Sequence, residues 1–234
     1  MLSVEAASSI IMQHFDKLSE VAVPILDTLG YTLAEDIYSS INIPPNANSG
    51  MDGYAIIANN LSEYNESNPI TLTVIGTVPA GSVPQVEVSD GTAVRIMTGA
   101  SIPNGATAVV PFEETDEIER ITNKTPLNEI TIKTKLPAGS NIRAAAEDVK
   151  VGDLILESGI TIRQQEIAVL ASLGLAQTTI IRKPVVGVIS TGDELIPPGE
   201  ELQRGQIYES NSFGLAGLVK WLGHEPIRMN NSGD

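Results

Sequence analysis

Residues 48–55 read Asn-Ser-Gly-Met-Asp-Gly-Tyr-Ala and lie between Pro44-Pro45 and an apolar run at 55–57. Residues that favour turns surround Met51 and Asp52, so we expect a tight loop that holds one carboxylate in a defined position. Loops of this kind often carry binding residues. The simpler alternative is a hairpin in which Asp52 and Gly53 only fill turn positions.

A second group of polar residues follows a short apolar segment. Residues 185–189 (Val-Val-Gly-Val-Ile) are typical of a strand covered on both faces. Residues 212–222 predict a helix that ends at Gly223, and residues 226–229 predict another strand. Open α/β sheets bind ligands beyond the carboxyl ends of their strands, so the loop after the first strand is a second candidate site. Its residues are Ser190, Thr191, Gly192, Asp193 and Glu194.

Composition excludes several kinds of chemistry. The sequence has no Cys and only two His, so thiolate zinc sites, Cys nucleophiles and histidine metal clusters are excluded. A Ser-His-Asp triad is not expected either. No HExxH, P-loop or GxGxxG string occurs.

The charge of the chain also limits its partners. A net charge of -15 argues against nucleic acid and against anionic membranes, because both require clustered Lys and Arg. The N-terminus has no basic segment typical of a signal peptide, and no apolar run approaches the length of a membrane span. We therefore expect a cytoplasmic protein.

Hydrophobic periodicity predicts helices near both ends of a β-rich segment. Apolar residues recur at helical spacing over 3–18, with Ser3 as the N-cap, and again over 161–173, where Thr161 and Gln164 suggest a capping box and Gly174 the end. Between them the period changes to two, which predicts strands. The predicted strands lie near residues 70–74, 92–97, 106–112, 117–122 and 130–132.

We therefore predict a multidomain α+β fold. Residues 1–43 and 138–180 form a discontinuous helical domain, residues 44–137 an inserted all-β domain, and residues 181–234 the beginning of a parallel α/β domain. Two parallel strands and one helix cannot bury the core of a doubly wound sheet. We expect a longer protein, or a second chain, to complete this sheet.

Four strings, taken in order, resemble the molybdopterin molybdenumtransferase (MoeA) family, which includes the gephyrin E domain. They are 48–55, 95–100 (Arg-Ile-Met-Thr-Gly-Ala), 141–148 (Asn-Ile-Arg-Ala-Ala-Ala-Glu-Asp) and 190–195 (Ser-Thr-Gly-Asp-Glu-Leu). The glycine that the family usually has before its Glu-Asp pair is Ala146 here, and the family's later Gly-Gly-x-Ser-type loop is not in this sequence.

The resemblance implies a homodimeric transferase of molybdenum cofactor biosynthesis whose α/β domain binds molybdopterin. Its reaction takes molybdate and adenylylated molybdopterin, inserts the metal into the dithiolene and releases AMP. An upstream enzyme or domain would adenylylate the molybdopterin. Both substrates are anionic, so an acidic protein needs Mg²⁺ or well-placed Arg to hold them.

The resemblance also implies roles for individual residues. It makes Asp52, Thr98, Asp148 and Glu194 catalytic, and it assigns metal binding to Glu194, Asp52 and Asp234. It implies contacts with molybdopterin or phosphate from Arg143, Ser190, Thr191, Gly192, Asp193 and Asn211.

Most of these residues also have a purely structural interpretation. Thr98 could end a strand, Arg143 could form a surface ion pair, and Glu147-Asp148 could be an ordinary exposed acidic pair. In the second loop, Ser190 and Thr191 could be caps and Asp193 could bond its own backbone. Asn211 could be the N-cap of the following helix. Arg95 alternates with Val94 and Ile96, which favours a solvated strand face.

Three functions compete. The first is the transferase reaction at a site shared across a dimer, with this 234-residue chain alone inactive or nearly so. The second is a scaffold protein of the same family that has lost catalysis. The third is a non-catalytic fragment that dimerises through its helical domain.

Overall fold

A computed structural model of the protein describes residues 2–229. The chain forms two compact units. The inserted unit is Ser39–Asp153, and the flanking unit combines the residues up to Tyr38 with those from Leu154 onward. The inserted unit is thus longer at both ends than the predicted segment 44–137, because Ile43 pairs with Val149 and Ser39 exchanges backbone hydrogen bonds with residues 152–153.

The helices are α1 (Val4–Met12), α2 (Glu117–Thr122), α3 (Gln164–Ser172) and α4 (Asn211–Trp221). The strands are β1 (Glu20–Pro24), β2 (Thr32–Leu33), β3 (Ile37–Tyr38), β4 (Asn48–Ser49), β5 (Gly53–Ile56), β6 (Ile70–Val78), β7 (Thr92–Ile96), β8 (Ala108–Pro111), β9 (Glu129–Ile132), β10 (Ile142–Arg143), β11 (Leu154–Leu156), β12 (Gln177–Ile181), β13 (Val185–Val188), β14 (Leu195–Ile196), β15 (Ile207–Tyr208) and β16 (Glu225–Arg228). Within residues 2–229, no helix has the length and apolar character needed to cross a membrane.

The inserted unit is built on a mixed five-stranded sheet in the order β8-β5-β7-β6-β9. The β6–β7 pair is parallel and the other pairs are antiparallel. The alternation that predicts β6 and β9 is confirmed, since Leu72 is buried while Thr71 and Thr73 are exposed. Apolar clusters cover both faces of β5, with Tyr54 in one and Ala55 in the other, so this strand is buried along its whole length.

The predicted strand at 117–122 is wrong, because these residues form helix α2. Ile118 and Ile121 are both exposed, so their alternation with charged residues does not mark a buried strand face. Arg120 instead pairs with Asp116 across one helical turn, with Nε 2.8 Å from Oδ2.

The flanking unit contains a sheet that sequence reasoning missed. Strands β1, β12 and β2 form an antiparallel sheet within the segments predicted to be a helical domain. Glu20 pairs with Ile181, so the partner strands lie far apart in the chain. Helix α1 has the predicted N-cap, with Ser3 Oγ accepting a hydrogen bond from the Ala6 N–H, but it ends at Met12 rather than near residue 18. None of its side chains is buried, so packing does not extend it.

Helix α3 begins later than predicted. Its N-cap is Arg163, whose backbone N–H donates to the Glu166 carboxylate at 2.8 Å, so the predicted capping box of Thr161 and Gln164 is wrong. Thr161 instead forms a β-bridge with Thr32. Gly174 follows the helix at a φ of 77°, which confirms its predicted role as the terminator.

Strand β13, helix α4 and strand β16 confirm the predicted βαβ unit. Val185 pairs in parallel with Glu225, and Gly223 ends α4 at a φ of 81°. The burial of β13 differs from the prediction, since only Val188 is buried. The described sheet has two strands at this point, which leaves Val185 half exposed.

Candidate functional site

Three of the four strings meet in the inserted unit. Strand β4 opens the 48–55 segment and pairs with β10, which places Asn48 beside Arg143. Asn48 also forms a β-bridge with Ser101, directly after the 95–100 segment. The 48–53 loop is therefore held between the other two segments. Only the fold establishes this, because the three strings are far apart in sequence.

The 48–53 loop is fixed by close backbone contacts. The hydroxyl of Ser49 donates to the carbonyl of Met51 and accepts its N–H. Strand β5 begins at Gly53, where a Cβ would lie 1.9 Å from the carbonyl oxygen of Val110. Such a contact is impossible without moving the backbone, so this position requires glycine. The loop is therefore pre-shaped, as the sequence predicts.

Asp52 receives two hydrogen bonds on one oxygen. The backbone N–H and the hydroxyl of Thr98 donate to its Oδ1 at 2.7 and 2.6 Å. These two bonds, the hydroxyl first, hold the pKa of the Asp52 carboxyl below its usual value, and the charge of Arg95 adds to the effect. Oδ2 of Asp52 accepts no hydrogen bond from residues 2–229. The loop thus presents an ionised carboxylate with one oxygen available to a ligand.

Arg95 is largely buried, so the prediction that it lies on a solvated strand face is wrong. Its guanidinium forms an ion pair with Glu117, in which Nη2 donates to Oε1 at 2.9 Å and Nε lies 2.9 Å from Oε2, and the side chains are only 17% and 7% exposed. It also lies over the Tyr54 ring, 5.6 Å from the centroid. Burial, and next the Glu117 carboxylate, raise the pKa of the Tyr54 phenol. The sequence pattern of residues 117–122 predicts a strand, so it gives no indication of this contact.

In the 141–148 loop, the side chain of Glu147 is hydrogen-bonded, whereas those of Arg143 and Asp148 are not bonded to any of residues 2–229. The Glu147 carboxylate accepts the Ala144 N–H at 2.8 Å and so closes its own loop. Within the described residues, the exposed side chains of Arg143 and Asp148 form no ion pair or hydrogen bond. A Cβ placed on Gly50 would lie 3.9 Å from Nε of Arg143, so this guanidinium lies against the Asp52 loop. The surface ion pair weighed for Arg143 is not present in this part of the chain.

The second candidate loop lies in the flanking unit, beyond β13. Gly192 has a φ of 141°, and a Cβ there would lie 2.7 Å from Oε2 of Glu194. The Glu194 side chain therefore folds back over the loop, although it stays exposed. Its carbonyl accepts the Ile207 N–H at 2.9 Å, next to the parallel pair β14–β15. Thr191 and Asp193 are exposed, while Ser190 is half buried.

Ser190 also lines a pocket of about 270 Å³ that contains a buried acid, Glu209. The Ser212 N–H donates to this carboxylate at 2.6 Å, and the Ser212 hydroxyl donates to its other oxygen. These bonds, with a smaller contribution from Arg228, hold the pKa of Glu209 below its usual value. Sequence reasoning missed Glu209, which no capping-box pattern marks, because that pattern has Ser or Thr first and Glu or Gln three residues later.

Asn211 is the first residue of α4, and the N-cap is Ser210, so the alternative role weighed for Asn211 as N-cap is wrong. Asn211 is exposed, which leaves its side chain accessible. Asp234 lies outside the described residues.

The predicted site residues thus fall into two groups. Asp52, Thr98, Arg143 and Asp148 lie in the inserted unit, whereas 190–194 and Asn211 lie in the flanking unit. Over residues 2–229, no three His, Asp or Glu side chains converge as a metal cluster. Mg²⁺ commonly binds one or two carboxylates together with substrate phosphates, and the donor types present here suit it.

Comparisons with known proteins cover the whole chain. Residues 2–174 match the family model described as the MoeA N-terminal region (domain I and II). The chain is 36% identical over 234 residues to molybdopterin molybdenumtransferase 2 of Mycobacterium tuberculosis H37Rv, covering 100% of this chain and 56% of that protein. It is 44% identical over 196 residues to the Haemophilus influenzae molybdopterin molybdenumtransferase, covering 84% of this chain and 46% of that protein.

A solved structure shows the same fold. The crystal structure of the molybdopterin biosynthesis MoeA protein from Pyrococcus horikoshii OT3 matches all of this chain and 60% of its own, with a TM-score of 0.86 and 37% sequence identity. The chain therefore spans about half the length of the curated relatives that it matches.

Proposed function

The chain belongs to the MoeA family, and we propose that the protein acts in molybdenum cofactor biosynthesis by inserting molybdenum from molybdate into adenylylated molybdopterin with release of AMP. The relatives named as molybdopterin molybdenumtransferases support the reaction class. The observation that carries the proposal in this chain is the fixed, ionised Asp52, which Thr98 holds in the loop that Arg143 lies against at Gly50.

The charges of the substrates suit the groups in the inserted unit. Phosphates and molybdate are anionic, while this chain carries 29 acidic and 14 basic residues. Arg143, which has no carboxylate partner among residues 2–229, is available to bind a phosphate through two N–H groups. Asp52 and Asp148 would hold Mg²⁺, which supplies positive charge that neutralises phosphate oxygens.

The flanking unit would contribute the second part of the site. Ser190 and Thr191 can donate hydroxyl hydrogen bonds to molybdopterin, and Gly192 leaves room for the Glu194 carboxylate to fold back over the loop. Glu194 would serve as a further carboxylate for Mg²⁺, with Asp193 and Asn211 as polar contacts. We propose that the two groups act together across a homodimer, in which the flanking unit contributes the dimer contact.

An assay of AMP release tests this function. Adenylylated molybdopterin, molybdate and Mg²⁺ are supplied to protein made from the complete reading frame and to the 234-residue chain. We expect turnover from the first and little or none from the second. In the complete protein, Asp52→Asn and Glu194→Gln should each lower kcat at least about a hundredfold, in the range of losses for groups that act on a transition state.

The matched control is Glu201→Gln, which removes an exposed acid from the same flanking unit. It should leave kcat unchanged. Full turnover in both Asp52→Asn and Glu194→Gln would remove these acids from the mechanism. A complete protein that binds molybdopterin but never releases AMP would support the scaffold function.

A further inference from the structure

A larger pocket in the flanking unit is lined by residues that neither candidate loop uses. It encloses about 590 Å³, within the range of small-molecule sites. One wall is apolar, because Val21 and Val23 project from the same face of β1 and Ile180 of β12 pairs with Val21. The aromatic ring of Tyr31 also lines the pocket.

Three basic side chains line the same pocket. Arg182, Lys183 and Lys220 are drawn from only 14 basic residues in a chain with 29 acidic ones. None of the three forms an ion pair within residues 2–229. Unpaired cations gathered around a cavity are unexpected in so acidic a protein, in which carboxylate partners are abundant.

Two of these cations have defined positions. The Lys183 ammonium lies 4.3 Å from the centroid of the Tyr31 ring, which fixes it by a cation–π contact. Nε of Arg182 donates to the Ser19 hydroxyl at 3.0 Å, and this bond leaves its two terminal nitrogens for another acceptor. The charges are therefore positioned before any ligand arrives.

His224 adds a polar group that lacks a partner. Its buried Nδ1 has no hydrogen-bond partner in the described part of the chain, although His224 lines the pocket. A buried nitrogen without a partner is costly, but its burial also keeps Nδ1 from direct contact with a ligand in the pocket.

We propose that this pocket binds a small organic anion, with a phosphate or carboxylate group held by Arg182 and Lys220 and an apolar or planar body against β1 and Tyr31. Asp27 and Glu225 also line the pocket, so they oppose the anion and limit the charge that it can carry. None of the residues that line the pocket belongs to the two loops proposed for molybdenum insertion.

Calorimetric titration with phenyl phosphate and with benzoate tests the proposal, and the two probes distinguish a phosphate from a carboxylate head. We expect saturable binding of at least one probe. Arg182→Gln and Lys220→Gln should each weaken it about tenfold, the effect of losing one interaction of ~1.4 kcal/mol. Both side chains are exposed, so these variants should fold, which thermal unfolding would verify.

Two further variants sharpen the test. Asp27→Asn should tighten binding, because it removes a charge that repels the anion, whereas Arg204→Gln, an exposed cation outside the pocket, should change nothing. If neither probe saturates, or if Arg204→Gln weakens binding as much as Arg182→Gln, the pocket is no anion site. The cations would then serve only structure, with Lys220 balancing the last turn of α4.

Discussion

Thr98 donates both its backbone N–H and its hydroxyl to Oδ1 of Asp52, at 2.7 and 2.6 Å. The two residues come from different strings of the sequence: Asp52 lies directly before β5, and Thr98 lies shortly after β7. The two hydrogen bonds fix the position of the Asp52 carboxylate and favour its charged form.

Thr98→Val should raise the pKa of Asp52 towards its usual value, because the variant keeps the shape of the side chain but loses the hydroxyl donor. Because the folded pKa is lowered, Asp52 adds stability above its unfolded pKa and loses it as pH falls through the folded pKa. The difference in the free energy of unfolding between the wild-type protein and Thr98→Val should therefore disappear at acid pH. Carboxyl ¹³C NMR titration measures the pKa, with Thr71→Val as the exposed control.

Gly53→Ala should destabilise the inserted unit by at least about 3 kcal/mol, because the new Cβ would lie 1.9 Å from the Val110 carbonyl oxygen. Urea unfolding measures the change. Gly214→Ala is the control, since a Cβ within α4 meets nothing within 4 Å. It should stabilise the protein by about 0.5–1 kcal/mol. Equal effects of the two substitutions would contradict the close approach at Gly53.

Arg95→Met should cost about 3–5 kcal/mol, because it leaves the buried Glu117 carboxylate without its partner. The double variant Arg95→Met with Glu117→Leu should recover much of this loss. The exposed pair Lys133–Glu119 provides a matched control, with side chains 41% and 63% exposed. Lys133→Met should therefore change the free energy of unfolding by no more than about 1 kcal/mol. A cost for Arg95→Met in that same small range would show that the ion pair is solvated.

Ala146→Gly should stabilise the protein by about 0.5–1 kcal/mol, because Ala146 has a φ of 59°, where a side chain is strained. Ala145→Gly is the adjacent control. Ala145 is not among the positive-φ residues, so glycine there should be mildly destabilising. Differential scanning calorimetry measures both variants, and a lower Tm for Ala146→Gly would show that the left-handed turn is not populated.

Local sequence patterns predicted several elements correctly. The alternation in β6 and β9, the βαβ unit ending in β16 and the terminating glycines Gly174 and Gly223 depend on residues close together in the chain. The turn-forming composition around Asp52 likewise predicted a shaped loop. These features follow from side-chain period and backbone freedom, which a short segment determines by itself.

Tertiary structure decided which distant segments meet. Glu20 pairs with Ile181 in a sheet that the local pattern of neither segment predicts, and the side chain of Glu117, in helix α2, is buried against Arg95. Thr98 reaches Asp52 because β5 and β7 are neighbours in the sheet. Strand partners and ion-pair partners are selected by the shared burial of distant side chains. The hydrophobic period of a single segment does not identify which distant segment it will pair with.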